Sequence, residues 1–260
     1  MPKFAANLTW MFHEHDFLDR FEAARKLNFQ AVECQFPYAW DCGDLAERHT
    51  ASGLQMVMFN MPPGNMREGE YGLAALPGRE QEFRESVMCA LVYANAMNCH
   101  MLHILAGIVP SGCKREKYYT TYLSNLFWAA EECRKSGVIV LVEPINTIER
   151  PGYLISTTGE ARRVIEQVNS GNVAMQFDFH NAQLMEGNLT AALKTNLEYI
   201  RHMQIAGVPD RTPPNQGEMN YSYLFALVDE LDYKGWLGCE FRSGDNTKEA
   251  LSWAINYGIG

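Results

Sequence analysis

Val138-Ile-Val-Leu-Val-Glu-Pro-Ile-Asn146 is an apolar run that ends on a carboxylate and then breaks at a proline. The run has the length of a strand. Its lack of alternation between apolar and polar residues marks a parallel strand covered on both faces. The pattern recurs at Phe4–Leu8, Ala31–Phe36, Gln55–Phe59, Met101–Ala106, Val173–Phe177, His202–Ala206 and Leu237–Phe241. Between these runs lie longer amphipathic stretches that predict helices over Phe17–Lys26, Gly43–Ser52, Arg79–Met97, Lys114–Lys135, Thr158–Val168, Leu189–Leu197, Tyr221–Leu231 and Thr247–Tyr257.

Strands that alternate with helices pair in parallel through crossover connections. Eight such units in 260 residues predict an α/β fold, the (β/α)8 TIM barrel, whose usual size is about 250 residues. The competing open sheet commonly carries a glycine-rich phosphate loop, and neither GxGxxG nor GxxxxGK[ST] occurs here. No Ser/Gly linker divides the chain, so residues 1–260 are read as one domain. Asn60–Gly78, Gly107–Gly112, Pro144–Ser156 and Gly207–Asn220 are rich in glycine, proline and polar residues. Each follows a strand and therefore emerges at the mouth where barrels of this kind build their active sites.

Composition narrows the function classes. The net charge of −9 argues against nucleic acid or an anionic membrane as a partner, since both need a basic surface. No apolar run approaches the ~20 residues of a membrane span, and the N-terminal stretch lacks the apolar core of a signal peptide. The seven cysteines include no CxxC pair. That pattern argues against a disulfide framework or structural zinc and predicts a reducing, cytoplasmic setting.

Four strand ends break the apolar rule with oxygen donors. Strand five ends in Glu143, strand six in Asp178, strand seven carries Gln204 and strand eight carries Glu240. A lone carboxylate at a strand end is commonly a helix cap or a loop ion pair. Three on consecutive barrel strands repel one another unless a proton or a cation intervenes. Two Glu, one Asp and an amide carbonyl suit a hard divalent ion such as Mg²⁺ or Mn²⁺ better than zinc. Asn60 and His103 point to the same end as substrate-contact candidates, and for His103 a core histidine bonded to a neighbouring strand is the competing reading. Glu33, inside strand two, reads as a partner of the ligands rather than a ligand. The thirteen methionines and the aromatic residues read as core and lid packing.

Phe4-Ala-Ala-Asn-Leu8, Ala75-Leu-Pro-Gly-Arg-Glu80, Val142-Glu-Pro-Ile-Asn146, Gly187-Asn-Leu-Thr190, Gly217-Glu-Met-Asn-Tyr221 and Gly238-Cys-Glu-Phe241 resemble the hydroxypyruvate isomerase family. The resemblance runs over essentially the whole chain. That family belongs to the xylose-isomerase-like barrels, with ketose 3-epimerases and zinc AP-endonucleases. It implies a metal-dependent aldose–ketose isomerase that interconverts hydroxypyruvate and tartronate semialdehyde through a metal-stabilised enediolate. On this resemblance Glu143 and Glu240 are the paired acid/base glutamates that also touch the metal, and Asp178 and Gln204 are the remaining ligands. The substrate is a small hydroxy-keto acid, and a homo-oligomer is among the expectations.

The residue matching Gln204 is histidine in the ketose epimerases, so Gln204 points to the isomerase branch. Ile205-Ala-Gly-Val-Pro-Asp-Arg211 is similar to the 2-oxo-tetronate isomerases, which leaves that activity, or a ketose 3-epimerase on the same site, as the alternative. Two positions depart from the pattern. The third residue after the metal aspartate, usually His, is Asn181, with His180 one place earlier; a one-residue offset can turn His180, a substrate-contact candidate, away from the mouth. The usual Lys-Pro near the last glutamate is Arg242-Ser243, which keeps the charge as a planar fork. Arg242 and the Asn60 loop are the candidate anchors for a substrate carboxylate.

Overall fold

Successive residues of a strand face opposite sides, and the eight strands use that alternation to separate two interiors. A computed structural model describes residues 1–260. The strands are β1 (Lys3–Asn7), β2 (Ala31–Cys34), β3 (Gln55–Asn60), β4 (Met101–His103), β5 (Ile139–Val142), β6 (Val173–Asp178), β7 (Ile200–Ile205) and β8 (Trp236–Cys239). Each pairs in parallel with the next, and β8 returns to β1 with Leu237 opposite Phe4, closing the barrel.

One parity of residues, including Val32, Leu102, Val140, Val142, Met175, Phe177, Met203 and Leu237, belongs to the large core between strands and helices. The other parity faces the lumen. Ala5, Ala31, Val57, Met58, Leu141 and Ala174 form a small separate apolar plug; the consecutive Val57 and Met58 both join it because alternation breaks in β3, where the register against β2 shifts. Above it come buried polar residues: Asn7, Glu33, His103, Gln176, His202 and Gln204. Runs that look continuously apolar therefore hide a polar residue at every second position near the mouth.

The helices are α1 (Arg20–Lys26), α2 (Cys42–Ser52), α3 (Glu80–Ala96), α4 (Arg115–Lys135), α5 (Thr158–Val168), α6 (Phe179–Met185), α7 (Leu189–Asn196), α8 (Tyr221–Glu230) and α9 (Thr247–Ala250). Three differences from the sequence reading stand out. Helix α6 was not anticipated. It starts on the residue after β6, and the Asp178 side chain caps it by accepting from the His180 N–H at 2.7 Å. The first and last predicted helices begin or end in 3-10 turns, Phe17–Asp19 and Ser252–Tyr257. Strands β2, β4 and β8 stop before the predicted ends, so Glu240 lies one residue beyond β8, where its N–H bonds to Ile205 O. No helix is long and apolar enough to cross a membrane.

The segment between β3 and α3 folds over the mouth and is seated on the segment after β4. Ala75 N–H donates to Ala106 O at 2.8 Å, and Gly72 lies against the Leu105 backbone with φ of +117°. A Cβ at Gly72 would collide with the Leu105 carbonyl, and the backbone there is one that L residues rarely adopt. Gly72→Ala is expected to cost roughly 1–3 kcal/mol of unfolding free energy, read as a lower urea midpoint with an unchanged slope. An unaltered midpoint would show that the loop is not seated in this way.

Candidate active site

The polar parity of the strands surfaces in a cavity of about 310 Å³ at the mouth, lined by Trp10, Gln35, Asn60, Tyr71, Leu105, Glu143, Ile145, Glu149, Arg150, Asn181, Arg211, Glu240 and Arg242. A larger and shallower groove of about 810 Å³ runs beside it along His13–Arg20. The smaller space is the candidate site, because its lining residues Glu143 and Glu240 bring carboxylate oxygens within 4.8 Å of each other and of Asp178. All three side chains are buried.

Burial raises the pKa of the two glutamates. Burial, with the charges of Glu240 and Asp178, pushes the Glu143 carboxyl well above the usual carboxylate range, against the pull of Arg211. Burial also raises Glu240, opposed by Arg211 and helped by Asp178 and Glu33, to about 7. Glu240, poised near neutrality, can exchange protons with a substrate, and the raised Glu143 carboxyl stands beside it. The orienting contacts are specific. Gln176 Nε2 donates to Glu143 Oε2 at 2.9 Å, Asn181 Nδ2 donates to Glu143 Oε1 at 2.9 Å, and Gln35 Nε2 donates to Glu240 Oε1 at 2.9 Å.

Arg211, which the strand-end reasoning did not single out, supplies the compensating charge. Its Nη1 donates to Asp178 Oδ2 and to Glu240 Oε2, each at 3.1 Å, and its Nη2 reaches Asn181 Oδ1 at 3.3 Å. Burial alone would lower its pKa, but Asp178, Glu240 and Glu149 more than offset that and hold the guanidinium charged. Glu149, 3.5 Å from Arg211 Nε, is held well below the usual range by His180 and Arg211. In the sequence Arg211 shows as the last residue of the Ile205–Arg211 motif and as a lone arginine in the polar Gly207–Asn220 segment after β7, neither of which gave it a role.

The predicted residues separate into two sets. Glu143, Asp178 and Glu240 meet, and Gln204 joins them from below, its Oε1 2.7 Å from the Gln176 Nε2 that also serves Glu143. Asn60, Arg242, Glu143 and Glu240 line the cavity, whereas Asp178, Gln204, His103 and His180 do not. His103 is wholly buried beneath it, where burial drops its pKa to about 3. Its Nδ1 lies 3.1 Å from Asn60 Oδ1 and 3.4 Å from Glu143 Oε2. His180 is turned away, with Nδ1 3.0 Å from Gly207 O and Nε2 3.5 Å from Glu149. The physical reason is α6. With Asp178 as its cap, Asn181 is the residue that stacks over the aspartate and receives the cavity, its Nδ2 2.9 Å from Asp178 Oδ2.

The three carboxylates and the Gln204 carbonyl are hard oxygen donors, and three buried carboxylates need protons or positive charge among them. The donor set thus fits a hard divalent cation beside Arg211. The Arg242 side chain makes no hydrogen bond or ion pair within the protein, while its backbone N–H donates to Arg211 O; its guanidinium lies 5.7 Å from the Trp10 ring centroid, on the same indole as Arg211. Arg150 lies 4.5 Å from the Tyr71 ring centroid.

Comparison with known proteins places the chain in a family. The 2-oxo-tetronate isomerase of Cupriavidus necator is 44% identical over 257 residues, covering 99% of each chain. The hydroxypyruvate isomerase of Escherichia coli is 38% identical over 257 residues, covering 99% of this chain and 100% of its own. The crystal structure of a family 2 AP endonuclease from Brucella melitensis is 44% identical, with a TM-score of 0.96 and 99% of each chain covered. The profile of the xylose isomerase-like TIM barrel matches residues 21–257, and the chain belongs to that family.

Proposed function

We propose that this protein is an intramolecular oxidoreductase that interconverts hydroxypyruvate and tartronate semialdehyde, or the corresponding four-carbon 2-oxo-tetronate, with Glu143 and Glu240 as its acid/base pair. The observation that carries this reading is the meeting of two buried, elevated glutamates with Asp178 at the floor of a cavity whose wall carries Arg150, Arg211 and Arg242. The names of the relatives at 44% and 38% identity supply the substrate class.

Isomerisation moves one hydrogen between adjacent carbons and one between their oxygens. One glutamate takes the proton from the hydroxyl-bearing carbon and returns it to the neighbouring carbon, and the other shuttles the oxygen-bound proton. Asn181 and Gln176 hold Glu143, and Gln35 and Arg211 hold Glu240, so neither carboxyl has to reorganise while charge moves. A divalent cation held by Glu143, Asp178, Gln204 and Glu240 would polarise the substrate carbonyl and steady the negative charge on its oxygens. Arg242, with its donors free, fits the substrate carboxylate in a two-pronged contact, and Asn60 offers a side-chain amide on the same wall.

Glu143→Gln and Glu240→Gln are each expected to fold and to lose more than the ~10²-fold in kcat/KM typical of one general base. Wild-type turnover in either would end this reading. Arg242→Met should raise KM for the acid substrates by about 10-fold or more with a smaller change in kcat, the loss of a charged hydrogen bond being worth ~1.5–3 kcal/mol. Exhaustive chelation should abolish turnover and Mg²⁺ or Mn²⁺ should restore it. A panel of hydroxypyruvate, 2-oxo-tetronates and free ketoses ranks the substrates by kcat/KM; a ketose without a carboxylate turned over fastest would overturn the acid anchor. The AP endonuclease at 44% identity motivates a second reading, phosphodiester cleavage. The net charge of −9 and an all-oxygen donor set argue against it, and incubation with abasic DNA separates the two.

A further inference from the structure

Glu33 is a wholly buried carboxylate that touches neither the cavity nor, directly, the three carboxylates at its floor. The chain nevertheless makes room for it. A Cβ at Gly238, the residue of β8 that faces the same layer, would collide with both of its oxygens. Its Oε2 accepts from His202 Nε2 at 2.6 Å. Its Oε1 accepts from Asn7 Nδ2 and from Gln204 Nε2, each at 2.8 Å. A side-chain amide has one donating and one accepting end, and the surrounding hydrogen bonds decide which way it lies. With the N–H end of Gln204 held downward by Glu33, its carbonyl oxygen is the end directed up toward Gln176 Nε2 and the Glu143 carboxylate. Reversing the amide would set oxygen against oxygen at Glu33 and N–H against N–H at Gln176.

We infer that Glu33 is a positioning residue: it fixes the Gln204 amide so that an oxygen, and never an N–H, faces the Glu143–Asp178–Glu240 cluster. The inference rests on the cation proposed for that cluster, and it states why a glutamine can serve there. Partners that orient a ligand typically matter 10- to 100-fold in metal affinity. The test is a Mn²⁺ titration of metal-stripped full-length protein followed by electron paramagnetic resonance, with thermal unfolding alongside. Glu33→Gln keeps the shape but can donate an N–H, so Gln204 is free to reverse; Mn²⁺ binding should weaken about 10- to 100-fold in the folded variant. The exchanged pair E33Q/Q204E presents an oxygen upward whichever way the new carboxylate turns, and its Mn²⁺ affinity should return to within about threefold of wild type. A folded E33Q that binds Mn²⁺ like wild type, or an E33Q loss that the exchange does not repair, overturns the inference. If E33Q does not fold, the exchanged pair decides alone: wild-type-like binding supports the inference, and any other result overturns it. Wild-type protein that binds no Mn²⁺ would remove the cation from the proposed function itself, which is distinct from wild type and E33Q binding it equally.

Discussion

Crowding of like charge governs this molecule. Glu143, Asp178 and Glu240 come together in a buried space where their mutual repulsion is strong, and everything nearby answers it. Burial drives Glu143 and Glu240 toward the protonated state, Arg211 brings a buried positive charge between Asp178 and Glu240, and amide donors from Gln35, Gln176 and Asn181 take up oxygen lone pairs. Removing any one of these leaves a buried charge uncompensated, which costs more than the contact itself contributes.

The barrel brings these groups together from distant parts of the sequence. Register pairs Asp178 with Gln204 across β6 and β7, and Gln204 with Gly238 across β7 and β8. Glu240 follows two residues later, and Glu143 follows the last residue of β5. No loop has to be long or strained for the carboxylates to meet, because closure of the sheet does it. The loops contribute the cavity walls instead: Tyr71 from the segment after β3, Glu149 and Arg150 from that after β5, and Arg211 from that after β7.

The barrel and its carboxylates were legible in the sequence for one reason. Glu143, Asp178, Gln204 and Glu240 stood out because each sits at or near the end of an apolar run, whereas Gln176 and His202, polar and buried within β6 and β7, did not. Arg211 did not, because its segment has no periodicity, and its inward turn depends on positive φ at Asp210 (63°) and Arg211 (53°), which composition does not reveal. Helix α6 escaped notice because its seven residues begin directly at the strand end, with the site aspartate as cap. That one element decides that Asn181 rather than His180 faces the cavity. His103, read from the sequence as a substrate-contact candidate, lies instead below Asn60 and Glu143, a depth that depends on where β4 stops.

The two parities of the strands have a consequence for how such a protein changes over time. Mechanical cohesion resides in the outward residues and the jacket of helices, while the lumen adds only a small plug of alanines, valine, leucine and methionine at its base. Reactivity is written on the opposite side of the same strands. A lineage can therefore revise its chemistry one alternate position at a time without disturbing the wall that holds the cylinder together.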